Sequence, residues 1–138
     1  MTFQLVEPIL LIGLGGVGAR LAEKAKKSLN SDCLLISHDQ KDLTIENSIK
    51  ISTKSVVNPS THLIRGSTLE TSDEIKKNIA NYSTVILISN LAGKAGVGIG
   101  PIVSRICKQE QKNLLSFTIM PFKFEKERIF QSGIALKR

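Results

Sequence analysis

Three short runs constrain this chain more than any other feature: Ile9-Leu10-Leu11-Ile12, Cys33-Leu34-Leu35-Ile36 and Val85-Ile86-Leu87-Ile88 are apolar at each position. A strand with one face in water alternates apolar with polar residues, whereas a central strand of a parallel sheet, covered by helices on both faces, is apolar throughout. Two further runs complete the set: Ile49 and Ile51, which alternate with polar neighbours, and residues 114–120, closed by Pro121. Helical patterns separate them. Val17, Leu21, Ala25 and Leu29 recur every four residues and leave Glu23, Lys24, Lys26 and Lys27 for water, which predicts a helix to about Asn30. Ser72-Asp73-Glu74 opens another, with Ile75 and Ile79 on one face and its carboxylates where the helix dipole favours them. Ile102, Val103, Ile106 and Cys107 mark a third, ending near Lys112, and residues 125–138 read as a fourth with no strand after it. Asn58-Pro59-Ser60 breaks the chain before a short Leu63-Ile64 segment.

Strand and helix in alternation predict an α/β fold, a Rossmann-like doubly wound parallel sheet in a single domain, expected to be incomplete at its C-terminal end. At 138 residues the chain has the length of one domain. Its longest apolar run is far too short to cross a bilayer and its first residues lack the basic region of a secretory signal, so no transmembrane segment and a cytoplasmic location are expected. Cys33 and Cys107 have no metal-ligand spacing and read as reduced packing residues. The net charge of +7 is spread over helical faces, with no Trp and one Tyr to interleave with it, so nucleic acid is not an expected partner.

The chemistry lies in two glycine-rich segments. Gly13-Leu14-Gly15-Gly16-Val17-Gly18 joins a buried strand to a helix and matches GxGxxG, where glycines permit a tight turn and bring backbone N–H groups against phosphate. That pattern alone serves NAD, FAD and adenylating domains equally. Ala92-Gly93-Lys94-Ala95-Gly96-Val97-Gly98-Ile99-Gly100-Pro101 again joins a buried strand to a helix. One nucleoside polyphosphate can use both, provided they sit side by side at the carboxyl ends of the first and fourth strands, where strand order reverses. The candidate binding residues are therefore Gly13, Gly15, Gly16, Val17 and Gly18 from the first segment and Gly93, Lys94, Ala95, Gly96, Val97 and Gly98 from the second.

With these loops the chain resembles the N-terminal, nucleotide-binding half of the FtsZ/tubulin GTPase domain, from Ile9 to about Leu136. That family places a GGxGxN loop after its first strand and a GGGTGTG signature after its fourth. Ile36-Ser37-His38-Asp39-Gln40-Lys41-Asp42-Leu43 is similar to its INTDAQDL segment, and Met120-Pro121-Phe122-Lys123-Phe124-Glu125 to its PFxFEG segment. The resemblance implies GTP or GDP as ligand, with Mg2+ beside it. It implies a ribose contact from Glu125, a guanine-side contact from Arg128, and a role in filament assembly for cell division or a cytoskeleton. The expected partners are further copies of the chain or a filament-forming homologue. The family's water-activating acids lie after a long central helix that this sequence does not reach, so no catalytic residue and no metal ligand is assigned within it. His38 and His62 have no Ser or Cys at triad spacing.

The departures are specific. Arg20 stands where the first loop ends in Asn, placed either to pair with phosphate or to coat the helix. Val97 and Ile99 replace two threonines whose hydroxyls support phosphate and metal oxygens, leaving Lys94 as a point charge in that loop. A third phosphate loop, AGANP-like, is not found in the span from Arg65 to Thr71. Two rival readings remain. In one the chain is a Rossmann NAD(P) enzyme or an E1-like adenylating domain that uses Asp39, 21 residues beyond Gly18, as its ribose acid. In the other it is a degenerate partner of a filament protein that binds no nucleotide.

Overall fold

A computed structural model describes residues 6–29, 31–53, 59–90 and 93–119. In chain order they form β1 (Ile9–Leu14), α1 (Gly15–Leu29), β2 (Asp32–Ser37), a 3₁₀ turn (Gln40–Asp42), β3 (Ser48–Lys50), α2 (Thr61–Glu70), α3 (Ser72–Ile79), β4 (Thr84–Asn90), α4 (Lys94–Gln109) and β5 (Asn113–Ile119). The five strands make one sheet in the order β3-β2-β1-β4-β5, and each neighbouring pair is parallel. The expected α/β architecture is therefore the observed one. From β1 the chain steps outward to β2 and β3, then returns to the other side of β1 for β4 and β5, so strand order reverses between β1 and β4.

Alternate residues of each central strand enter different halves of the core. Leu10, Ile12, Leu34, Ile36, Val85 and Leu87 pack under α2, α3 and α4, against Ile64, Ile75, Ile99 and Ile102 among others. Leu11, Leu35, Ile86 and Ile88 lie beneath α1, which meets them with Ala19 and Ala22. Small residues on α1 bring its backbone close to the sheet, since a Cβ at Gly18 would stand 2.5 Å from the Ile88 carbonyl oxygen. Both cysteines are buried and free, and burial pushes each thiol up to about 11.

The structure departs from the sequence expectations at four places. A full helix, α2, stands where only the Leu63-Ile64 segment was expected, and it takes up almost all of Arg65 to Thr71. Ser60 Oγ caps it by accepting the Leu63 N–H at 3.2 Å, and Ile64, Ser67 and Thr68 are buried. The connection leaving the carboxyl end of β3 is thus residues 51–60, of which 54–58 lie outside the described residues. Second, the glycines after β4 are not a loop. α4 begins at Lys94, so Gly96, Val97, Gly98, Gly100 and Pro101 are helical, and it ends at Gln109 rather than near Lys112. Third, α1 begins at Gly15, inside the first glycine motif, and it buries Gly18, Ala19 and Ala22, whereas Val17, Leu21 and Leu29 of the expected apolar row are exposed, because small residues let the helix lie close on the sheet. Fourth, β5 is exposed or half-buried along its length because it is the sheet edge. The helix expected over residues 125–138, with Glu125 and Arg128, lies outside the described residues.

Candidate functional site

β1 and β4 are neighbours, with Gly13 opposite Ile88, and both run straight into helices at the carboxyl edge of the sheet. β1 passes from Leu14 directly to Gly15. β4 ends at Asn90 and turns back through a Gly93 N–H donated to the Asn90 carbonyl at 3.1 Å. Two helix N-termini thus meet at the point where strand order reverses, the place where open α/β sheets bind ligands. They touch. Gly15 has φ +70°, a left-handed conformation that side chains disfavour, and a Cβ there would lie 2.9 Å from the Ala95 Cβ. A Cβ at Gly96 would overlap the Asn90 carbonyl oxygen, so only glycine lets α4 start this close to the strand that feeds it.

A cleft of about 170 Å³ opens between the two termini. Leu14, Gly15, Gly16 and Val17 line it from the first segment; Asn90, Gly93, Lys94, Ala95 and Gly96 from the second; His38 and Asp42 from the segment after β2. Its electrostatics follow from what is missing at the helix starts. α1 follows Leu14, which has no side-chain acceptor, and Gly93 gives α4 no side-chain cap. Neither helix has a carboxylate in its first turn, whereas α3 has Asp73 and Glu74 and α2 has its Ser60 cap. The positive ends of both macrodipoles are therefore turned to the cleft.

One carboxylate enters this field. Asp39 caps the 3₁₀ turn by accepting the Lys41 N–H at 3.2 Å, and the turn carries Asp42 back beside Gly16. The buried Ser37 hydroxyl donates to Asp42 Oδ2 at 2.8 Å and accepts the Asp39 N–H at 3.1 Å. A Cβ at Gly16 would meet Asp42 Oδ1 at 2.9 Å, so the glycine makes room for the acid. His38 forms part of the same wall, and its Nδ1 is buried without a hydrogen-bond partner among the described residues. Lys94 Nζ donates to the Pro59 carbonyl at 2.9 Å, tying the β3–α2 connection to the start of α4.

Of the residues expected from sequence, Gly15, Gly16, Val17, Gly93, Lys94, Ala95 and Gly96 are brought together at the cleft. Gly13 and Gly18 serve the packing of α1 on the sheet, each within 2.5 Å of a backbone oxygen if given a Cβ. Gly98 faces Ile64 of α2. Val97 donates its N–H to the Gly93 carbonyl inside α4 and does not line the cleft. Ile99 is fully buried in the core, so a hydroxyl at that position would not face the cleft. Asp39 is turned to its own loop, 3.6 Å from Lys41 Nζ in solvent. Arg20 is exposed at the rim, its Nη1 within 3.8 Å of the point a Gly16 Cβ would occupy. His38, Asp42 and Asn90 were not expected. Asp42 and Asn90 had a signal in the sequence, an acid inside the segment after β2 and the last residue of a buried strand before a glycine turn.

No protein-family model matches the chain, and no curated protein matches it by sequence; solved structures do. An empty FtsZ dimer from M. jannaschii superposes with a TM-score of 0.82 at 22% identity, covering 94% of this chain and 40% of that one. A TubZ protofilament from bacteriophage PhiKZ gives 0.69 at 20%, covering 94% and 42%. The phage tubulin PhuZ with GDP gives 0.73 at 16%, covering 93% and 42%. The fold is that of FtsZ and the phage tubulins. The chain spans about 40% of the length of these proteins. Among the described residues no helix is long and apolar enough to cross a membrane, and no cluster of three or more His, Cys, Asp or Glu side chains is placed to hold a metal.

Proposed function

We propose that this domain binds the phosphates of a guanine nucleotide, GTP or GDP, in the cleft between α1 and α4, and that it works as the nucleotide-binding module of a filament-forming protein in the cytoplasm. The observation that carries the reading is the convergence of two helix N-termini, neither with an acidic residue in its first turn nor a side-chain cap, on a glycine-walled cleft at the switch point. Small pockets that take a whole ligand run to roughly 300–1,000 Å³. A cleft of about 170 Å³ suits the phosphate end; Glu125 and Arg128, which the family resemblance assigns to ribose and base, lie outside the described residues.

Mg2+ is commonly held by one or two carboxylates together with substrate phosphates. Asp42 Oδ1 is the carboxylate oxygen at hand, its partner Oδ2 being fixed by Ser37. When bound, the metal would neutralise phosphate charge next to that oxygen. Self-association is supported by two of the similar structures, an FtsZ dimer and a TubZ protofilament. Asp39 lies off the cleft, which disfavours the dinucleotide reading that gave it a ribose contact.

The test is equilibrium binding of GTP, GDP, ATP and NAD, each with magnesium, to the purified chain. Guanine nucleotide is expected to bind preferentially, and Gly16→Asp to abolish binding by adding a second carboxylate against Asp42 where phosphate must approach backbone. Preference for NAD selects the oxidoreductase reading. No binding of any nucleotide selects the degenerate partner.

A further inference from the structure

Arg20, at the rim of the nucleotide cleft, has a position that the cleft as described does not yet account for. Side chains on a helix lean toward its N-terminus, and Arg20 follows that rule: from the second turn of α1 its guanidinium folds back until Nη1 is 3.8 Å from the point a Gly16 Cβ would occupy. Gly16 has no side chain to stand between that guanidinium and the cleft. Arg20 makes no ion pair among the described residues. Asp42 Oδ1 approaches the same glycine, but the carboxylate is fixed by the Ser37 hydroxyl. A cation laid over the first turn of a helix opposes the macrodipole, which favours negative charge there. An anion seated on the α1 N-terminus resolves that conflict, because it is attracted by the dipole and the guanidinium together. Five donors in a planar fork suit adjacent phosphate oxygens better than a lysine would.

We infer that Arg20 closes over the phosphate chain of a nucleoside di- or triphosphate held at the N-terminus of α1, acting as a phosphate ligand rather than as a reader of the base. The inference rests on the proposed nucleotide site and adds to it a residue that the similar family pattern does not have, since an Asn is expected at that place.

Calorimetric titration of the full chain with GTP, GDP and ATP, in magnesium, tests both separately. Arg20→Ala is expected to raise Kd for all three by roughly 10- to 100-fold, the range of a charge-assisted hydrogen bond, without changing the ratio of GTP to ATP affinity. Arg20→Lys should fall between, keeping charge but losing the fork. Lys24→Ala, an exposed change one turn further along α1, should leave Kd within twofold. Wild-type protein that binds and an Arg20→Ala variant within twofold of it would overturn the inference while leaving the nucleotide site standing. A fall in the GTP to ATP ratio would overturn it in favour of a base contact, and an equal loss from Lys24→Ala in favour of diffuse surface charge. Wild-type protein that binds no nucleotide removes the site and the inference together. Arg20 is exposed, so both variants should fold, and circular dichroism checks this.

Discussion

Tyr82, the one tyrosine of the chain, donates its phenol to Asp32 Oδ2 at 2.6 Å and so ties the entrance of β4 to that of β2 across β1. The hydrogen bond to Asp32, then burial, then the carboxylate's charge push the phenol from 10 to about 12. A group whose folded pKa is raised contributes stability that is present below its unfolded pKa and lost as pH rises through the folded one. Stability from this pair should therefore hold to about pH 10 and decline toward pH 12. The expected outcome is little phenolate absorbance at 295 nm at about pH 10.5 while circular dichroism reports folded protein, and a midpoint moved back toward 10 by Asp32→Asn. A midpoint near 10 in the folded wild type would remove the bond. At this same scale the site was half legible. Paired glycines announce a backbone approach because no other residue allows it, which is why Gly15, Gly16 and Gly96 could be read directly. Asp42 showed only as an acid inside the segment after β2, without its place, since it reaches Gly16 only after Asp39 and Ser37 have shaped the 3₁₀ turn. Val97 and Ile99 looked like losses at a phosphate loop, yet helical register turns Ile99 into the core.

α4 shows how one element can hide from its sequence. Gly93, Gly96, Gly98, Gly100 and Pro101 read as a loop because glycine and proline are poor helix formers, by roughly 1 and 3 kcal/mol relative to alanine. The helix forms because those glycines admit the Asn90 carbonyl at its start and Ile64 of α2 at its side, and tertiary contact overrides propensity. Pro101 has no N–H to give the Val97 carbonyl four residues before it. Arg65 of α2 takes that role, with Nη2 at 3.4 Å from the Val97 oxygen. α2 was missed for the complementary reason. Its sequence has few strong helix formers, and its stability comes from the Ser60 cap and from burial against the helix that was also missed. If Arg65 substitutes for the lost N–H, the two positions are coupled. Pro101→Ala should stabilise the domain by about 1–3 kcal/mol. Arg65→Ala should then cost less in that background than in wild type, by about 0.5–1.5 kcal/mol in a double-mutant cycle from urea denaturation. Strict additivity would mean that Arg65 does not support the carbonyl.

The all-apolar runs made the sheet and its reversal legible, and with them the meeting of both glycine segments, because buried parallel strands leave few topologies open. They did not reveal how unequally the sheet is covered. Among the described residues three helices lie on the face of Leu10, Ile12 and Leu87, and one, α1, on the face of Leu11, Ile86 and Ile88. α1 packs on β1, β2 and β4. Leu115 and Phe117 stand opposite Ile86 and Ile88 in the ladder and so share the α1 face, out on the edge strand, with Phe117 54% exposed. Leu21, on α1, is also exposed. An apolar stripe beside a strand edge that is unpaired among the described residues is a surface for association. This predicts that the chain associates with rising concentration whether or not nucleotide is present. Phe117→Lys should suppress that association in sedimentation velocity while changing unfolding free energy by no more than about 0.5–1 kcal/mol, since the ring is half in water already. Gly16→Asp should leave it intact, because the phosphate cleft lies at the carboxyl edge of the sheet and not on this stripe. If Gly16→Asp dissolves the assembly and Phe117→Lys does not, association runs through the nucleotide end of the molecule, and the exposed stripe has no part in it.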